Sequence, residues 1–130
     1  MNIKTAQTTL IEVLNAEISN PTWTGCDWET GLDDVRREAY ETQVTRYAES
    51  ALKYAQEARN HLIQDRFYSC VEDLKQAEDL ENTFGESPTW GDFVVAAEYL
   101  EETRDDAERE EALANLEPIL QRLTSRYNVQ

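Results

Sequence analysis

The chain has few of the residues that break helices or bind metals: four glycines, three prolines, two cysteines and one histidine among 130 residues. The scarcity of glycine and proline excludes a low-complexity or linker-like protein. Cys26 and Cys70 do not belong to a Cys-x-x-Cys pair, and one histidine cannot complete a zinc site with them. We therefore expect no bound metal and two reduced, buried cysteines.

Long apolar runs are also absent. No stretch approaches the roughly twenty apolar residues of a membrane-spanning helix. The beginning of the sequence lacks the apolar segment and cleavage site of a signal peptide. These absences predict a cytoplasmic protein that makes no membrane contact.

Catalytic and cofactor motifs are missing as well. The sequence has no P-loop, no Gly-x-Gly-x-x-Gly fingerprint and no calcium-binding EF-hand loop. Glu57 lies one helical turn before His61, the only histidine, and is placed to orient its imidazole. A half-buried structural histidine is the more common role for such a residue. We expect a protein that is not an enzyme and holds no cofactor.

Positive charge is scarce. Lysine and arginine total 12 against 27 aspartates and glutamates, which gives a net charge of −15 at pH 7. A protein of this charge repels nucleic acid and anionic membranes, so direct nucleic-acid binding is not expected. The imbalance is concentrated in residues 67–130, which hold sixteen acidic and five basic residues.

The feature that is present throughout is helical periodicity. Apolar residues recur at three- and four-residue steps, and no segment shows the alternation typical of a strand. The predicted helical stretches are 3–19, 32 to about 64 with a possible break near 41–43, 67–82, and a region from Thr89 through the acidic residues. Thr89 and Asp92 resemble a capping box, and Pro118 either kinks the last region or begins a new helix capped by Asn115. The sequence predicts one all-α acidic domain over residues 1–130, a compact bundle of five or six helices.

Residues 51–82 carry a spaced set of large and small side chains. The set consists of Tyr54, Ala58, His61, Cys70, Leu74 and Ala77. In these positions the segment resembles one tetratricopeptide-type helical hairpin. It departs from that repeat where Glu57 replaces the usual leucine, Cys70 an alanine and Asn82 the closing proline. Because stable arrays need about three repeats, the resemblance implies an antiparallel helix pair rather than membership of the repeat family.

The tripeptide Pro-Thr-Trp occurs twice, at 21–23 and at 88–90. The two copies are either a duplicated binding loop or two similar helix-entry turns, and poor alignment of the flanking helices favours the second interpretation. Trp23, Trp28 and Trp90 all lie in or beside predicted loops, where tryptophan either anchors a partner or closes the end of a core. Trp28, which stands between two acidic residues, is expected to be the most exposed.

Residues 98–112 contain eight carboxylates and only two arginines. On one continuous helix, carboxylates at three- and four-residue steps would form a ribbon that advances about 6 Å every four residues. This repeat is of the same order as the phosphate spacing of a nucleic-acid strand. The candidate partner-binding residues are Glu98, Glu101, Glu102, Asp105, Asp106, Glu108, Glu110, Glu111 and Trp28, with Glu72, Asp73, Glu78, Asp79, Glu81 and Glu86 as helpers.

Folding alone does not explain this acidity. Like charges one helical turn apart oppose helix formation, and solubility of a small domain requires a net charge of only about 2–8. A positively charged partner is the simplest explanation, and an ordinary solvated acidic face is the alternative.

In size and composition the chain is similar to small phage- or plasmid-encoded inhibitors, including anti-CRISPR and anti-restriction DNA mimics. This likeness implies a non-enzymatic inhibitor that occupies the basic, nucleic-acid-binding surface of a partner protein. A helical adaptor that uses the 51–82 hairpin and the loop tryptophans is the second hypothesis. An enzyme centred on Glu57 and His61 is the third. The sequence leaves the oligomeric state open, with a homodimer as one option.

Overall fold

A computed structural model of the chain describes residues 1–24, 34–85 and 88–129, and all regular secondary structure in these ranges is helical. The five helices are α1 (Ile3–Ser19), α2 (Asp34–Ile63), α3 (Phe67–Asn82), α4 (Gly91–Glu102) and α5 (Arg109–Arg126). The all-α prediction is therefore confirmed. Among the described helices, none combines the length and the apolar character needed to cross a membrane.

The core is one apolar cluster that receives side chains from all five helices. Each helix packs against its neighbour in the chain, and α1 also packs against α4 and α5. The apolar stripes predicted for α1 and α3 point into this cluster, with Leu10, Leu14 and Leu74 fully buried. Burial of a leucine side chain contributes roughly 1.5–3 kcal/mol, so these stripes account for the orientation of the helices.

α2 is continuous over 30 residues, so the break considered near 41–43 does not occur. No glycine or proline lies between Gly31 and Gly85, and nothing in that span ends a helix before the corner at 64–66. The Thr42 hydroxyl donates to the carbonyl of Glu38 at 2.9 Å, which satisfies this polar side chain within the helix. The chain turns sharply at this corner, where Asp65 adopts a positive φ of 61°.

The acidic residues do not lie on one helix, contrary to the prediction. α4 ends at Glu102 and α5 begins at Arg109. Thr103 is fully buried, and its hydroxyl donates to the carbonyl of Leu100 instead of leaving that group for a further helical turn. Asp105 accepts a hydrogen bond from the backbone N–H of Ala107 at 2.9 Å, and Arg109 donates to the Thr103 carbonyl at 3.0 Å. Side-chain hydrogen bonds and tighter backbone turns, such as the one from Glu108 N–H to the Asp105 carbonyl at 3.1 Å, therefore replace the α-helical bonds between 103 and 108.

Two helix caps considered from the sequence do not occur. α5 runs through Pro118, so Asn115 lies inside the helix and caps nothing. Pro118 removes one helical hydrogen bond, and the unpaired carbonyl is that of Ala114, an exposed residue that water can reach. α4 begins after Trp90 rather than Thr89, and neither side chain forms a cap hydrogen bond at that end.

Candidate partner-binding surface

α4 places three of the predicted carboxylates on its outer side. Its inner side is fixed by Phe93, Ala97 and Leu100, which are buried in the core. Because residues three and four apart share a helix face, Glu98 and Glu102 project together into solvent. Glu101 is half-buried next to them.

The start of α5 supplies a second group of acidic residues. Glu108 occupies the N-cap position, and Glu110 and Glu111 lie in the first turn. All three side chains are exposed. Carboxylates at this end of a helix interact favourably with its dipole, so their placement also helps α5 to begin here.

The side-chain charges show which of these groups lie together. Partial burial raises the pKa of Glu102, and the negative charges of Glu108, Glu98, Glu101 and Glu111 raise it further. Glu102 therefore stands among carboxylates from both α4 and α5, even though the helix between them is interrupted.

The same group extends onto α3. Burial raises the pKa of Glu78, and the neighbouring charges of Asp79, Glu98 and Glu81 add to the shift. Glu98 thus lies close to carboxylates on α3 and on its own helix. We call the connected exposed and partly exposed set the acidic surface. It comprises Glu78, Asp79, Glu98, Glu101, Glu102, Glu108 and Glu111.

Three predicted residues stand apart from this set. Asp105 accepts from the Ala107 backbone, and Asp106 forms an ion pair with Arg109. Glu110 borders a different depression, together with Met1, Leu113 and Glu117. The connection at 103–108 therefore uses two of its carboxylates for its own structure.

The two arginines of this region do not neutralise the acidic surface. The guanidinium of Arg104 lies 4.4 Å from the ring centre of Phe67 and donates to the backbone carbonyl of Asp65. Arg109 donates to the Thr103 carbonyl and pairs with Asp106.

The helper residues predicted from the sequence separate into two groups. Asp73 lies 2.5 Å from His61 Nδ1, and Glu81 is buried, so neither is presented to a partner. Glu72 and Asp79 are exposed. Glu86, like the candidate Trp28, lies outside the described residues.

The two Pro-Thr-Trp turns are held by the same type of contact, which their sequences do not reveal. Glu17 of α1, which is fully buried, accepts from the backbone N–H and the hydroxyl of Thr22 at 3.0 and 2.7 Å. Glu81 of α3 accepts from the backbone N–H groups of Thr89 and Trp90 at 3.0 and 3.3 Å. In each turn a buried helix carboxylate therefore binds the backbone of the threonine. The unequal spacing from glutamate to threonine, five residues and eight, hid this relationship.

The tryptophans contribute to packing where they are described. Trp90 is almost completely buried, with its ring centre 5.6 Å from that of Phe93. Trp23 is half-buried against Phe84, which also contacts Tyr40 and Tyr47 of α2. Both turns thus close the core with aromatic rings.

The groups considered for catalysis are arranged differently from the expectation. His61 is oriented by Asp73 of α3, not by Glu57. Cys70 is buried, and burial together with the charge of Asp73 raises the pKa of its thiol to about 12. At neutral pH this thiol is protonated. The described ranges contain no group of three or more His, Cys, Asp or Glu side chains placed to hold a metal ion.

Comparison with known proteins finds no matching family model, no matching curated protein and no matching solved structure.

Proposed function

We propose that this protein is a non-enzymatic inhibitor that occupies the basic, nucleic-acid-binding surface of a partner protein, as DNA mimics of the anti-CRISPR and anti-restriction type do. The observation that supports this function is the acidic surface, in which carboxylates from α3, α4 and the start of α5 lie close enough for their charges to raise the pKa of Glu78 and of Glu102. These carboxylates take the place of phosphates in a cleft lined by arginine and lysine. The protein itself binds neither nucleic acid nor membrane.

The raised pKa values of Glu78 and Glu102 indicate that repulsion between like charges on this surface destabilises the folded protein. Glu78 and Glu102 are both less acidic than an ordinary glutamate because of burial and like-charge neighbours. A cationic partner would relieve this repulsion on binding. Association is then steered by charge, fast at low ionic strength and weaker as salt screens the two surfaces.

The side chains that substitute for phosphates differ from those expected of a single helical ribbon. The carboxylates do not form a ribbon along one helix. They come instead from three neighbouring elements, which are α3, α4 and the start of α5. The partner surface is accordingly a broad basic cleft rather than a narrow groove. Glu98 and Glu102 are the central contacts because each lies near carboxylates of another helix.

The test is capture of partners from a cell lysate on the immobilised protein at low salt, followed by elution with duplex DNA. Captured proteins should be nucleic-acid-binding and should elute with DNA and with high salt. The variant Glu98→Lys/Glu102→Lys should lose them, whereas Glu12→Lys/Glu57→Lys, with the same change in charge on exposed residues of α1 and α2, should retain them. Proteins that resist DNA elution, or equal capture by both variants, would refute the proposal.

A second function is supported by a separate observation. The 51–82 segment, taken as an antiparallel tetratricopeptide-like hairpin, carries a cleft of about 380 Å³ that is bordered by Ser50, Lys53, Tyr54, Glu57 and Leu80. An adaptor would bind an apolar side chain of its partner there. Binding of that kind tolerates salt and is lost in Tyr54→Ala or in the Glu12→Lys/Glu57→Lys variant. An enzyme would require activity that disappears in His61→Ala.

A further inference from the structure

One end of the helical bundle is rich in positive charge, unlike the chain as a whole. A depression of about 570 Å³ lies there, among the first residues of α1, α3 and α5 and the residues that follow α2 and α4. Three basic side chains and one acidic side chain line it, in a protein that has 27 acidic and 12 basic residues. We call it the basic depression. The residues that define it are Lys4, Gln7, Asp65, Phe67, Arg104 and Arg109.

The acidic side chain of the basic depression is already engaged. The carboxylate of Asp65 accepts a hydrogen bond from the amide nitrogen of Gln7 at 2.6 Å. Gln7 is almost completely buried and also donates to the Leu62 carbonyl at 2.7 Å, which fixes this wall. Within the described residues, neither Lys4 nor Arg104 has a carboxylate at ion-pair distance. Two cations thus share one depression without a carboxylate partner, although acidic residues outnumber basic ones by more than two to one.

The excess of positive charge is specific to this depression. A smaller neighbouring depression of about 280 Å³ shares Asp65 and Arg104 with it and adds Arg66 and Glu101. Its two basic and two acidic side chains balance each other. The unbalanced charge therefore lies on the side of Arg104 that faces Lys4 and Arg109.

Contacts with the protein hold both guanidinium groups in place. Arg104 donates to the Asp65 carbonyl, and its guanidinium carbon lies 4.4 Å from the ring centre of Phe67. Arg109 donates to the Thr103 carbonyl at 3.0 Å and to Asp106 at 2.5 Å. A guanidinium carries five N–H donors, so both arginines have donors beyond these contacts. Because the groups are already positioned, a ligand would lose less free energy in ordering them.

The gaps between the described ranges do not adjoin this end of the protein. The residues beside them follow the C-terminal ends of α1, α3 and α5 or lie at the N-terminal ends of α2 and α4. The basic depression lies at the opposite ends of the same helices, which are about 18–45 Å long. The described residues therefore account for the charges that surround it.

The arrangement of these donors favours a phosphate group over a carboxylate. A carboxylate offers two oxygens and one charge, whereas a phosphate ester offers three oxygens and a charge of about −1.5 to −2. Arginine binds such oxygens in pairs, and lysine adds a compact charge. The net charge of −15 repels anions at long range, so only a ligand that meets several cations at short range is retained. The volume lies within the roughly 300–1,000 Å³ of small-molecule sites.

We propose that the basic depression binds a small phosphorylated ligand, whose phosphate group contacts Lys4, Arg104 and Arg109. The site shares no residue with the acidic surface, so it does not depend on the function proposed above. The ligand would occupy the end of the bundle and leave the acidic surface free for a protein partner.

Calorimetric titration of the full chain with pyrophosphate at low ionic strength tests this site. Lys4→Ala should raise the dissociation constant at least about tenfold, because a charge-assisted hydrogen bond is lost. Lys53→Ala, which removes an exposed charge from α2, should leave it unchanged. Arg104→Lys should also weaken binding, because it keeps the charge but loses the planar fork of donors. Circular dichroism checks that each variant keeps its helicity.

Nuclear magnetic resonance locates the site without any substitution. Pyrophosphate should shift backbone amide signals of residues 3–7, 65–67 and 103–109, and glycerol 3-phosphate should shift the same signals. The proposal is overturned if pyrophosphate shows no saturable binding, if Lys53→Ala weakens binding as much as Lys4→Ala, or if the shifts lie elsewhere. Binding of inorganic phosphate without glycerol 3-phosphate would overturn the assignment to a phosphorylated molecule. Tighter binding of citrate than of pyrophosphate would overturn the preference for phosphate.

Discussion

The carboxylate of Glu81 in α3 accepts a hydrogen bond from the backbone N–H of Thr89 at 3.0 Å, just before α4 begins. A second bond, from the N–H of Trp90, reaches the same oxygen. The first N–H groups of a helix have no partner within it, and here a neighbouring helix supplies one. A buried negative charge at this end also suits the dipole of α4.

This contact predicts a stability difference between two glutamate variants. Glu81→Ala should lower the free energy of unfolding by about 1–3 kcal/mol, because two buried N–H groups lose a charged acceptor. Glu12→Ala, on the exposed side of α1, should change it little. Urea denaturation of both variants measures the difference. Equal midpoints for the two would show that Glu81 does not hold α4.

The acidic surface predicts an unusual response to mild acid. The raised pKa of Glu102 means that the folded state binds protons more readily than the unfolded chain, whose glutamates have the ordinary value of 4.5. The repulsion is therefore present above the folded-state pKa and is lost as pH falls through it toward 4.5. The contribution of this residue to stability should increase on mild acidification.

The variant Glu102→Gln tests the direction of this pH dependence. At pH 7 the variant should be slightly more stable than the unmodified protein, and the advantage should shrink as pH falls or as salt is added. Thermal unfolding over a pH series provides the measurement, with Glu12→Gln as the control. A variant that is less stable at pH 7 would mean that Glu102 makes a stabilising contact outweighing the repulsion.

The buried hydroxyl of Tyr127 predicts a loss of stability at alkaline pH. Burial raises the pKa of its hydroxyl, and the negative charge of Glu17 raises it further. Because the folded state holds this proton more tightly than the unfolded chain, stability is complete below the ordinary value of 10.0 and declines as pH rises above it. Tyr127→Phe should remove this part of the alkaline loss, as denaturation near and above that pH will show.

The same substitution tests a buried polar atom. The Tyr127 hydroxyl makes no hydrogen bond of normal geometry with the described residues, while its ring packs 5.8 Å from that of Phe93. Removing such a hydroxyl costs little or nothing, so at neutral pH Tyr127→Phe should keep or increase stability. Tyr127→Ala should destabilise through lost packing. A loss above about 1 kcal/mol in the phenylalanine variant would reveal a hydrogen bond that this arrangement does not contain.

The buried thiol of Cys70 is predicted to react only when the protein unfolds. Its thiol is buried, with the pKa raised to about 12 by burial and by Asp73, so thiolate is scarce at neutral pH. In a Cys26→Ser variant, reaction with a disulfide reagent should be slow under native conditions and fast in denaturant. Rapid native reaction would place the thiol at the surface.

The sequence alone predicted the helices whose signals are local. Ile3–Ser19 and Phe67–Asn82 match the predicted stretches because regular apolar stripes define them. The interruption at 103–108 was missed because periodicity continues across it. It depends on the burial of Thr103 and on side-chain bonds from Asp105 and Arg109, and a one-dimensional pattern does not contain these contacts.

The candidate surface was predictable as a region but not as a set of residues. Charge counting identified residues 98–111 and the acidic residues of α3. It could not separate Glu98, exposed beside other carboxylates, from Glu81, which is buried and binds backbone N–H groups. That distinction requires knowing which side of a helix meets the core, and for Glu81 the decisive contact lies in a turn eight residues away.

Arg104 and Arg109 direct their guanidinium groups to backbone carbonyls, with Asp106 as the sole carboxylate they meet within the described residues. Counting these arginines as neutralising neighbours would therefore understate the electrostatic potential outside α4. Lys75 offsets part of the charge beside Glu78, and mobile cations from the buffer balance the remainder. The protein should therefore bind an anion-exchange resin more tightly than one of equal net charge with its acids evenly dispersed. Retention of Glu98→Gln relative to Glu12→Gln on such a resin reports that local potential directly.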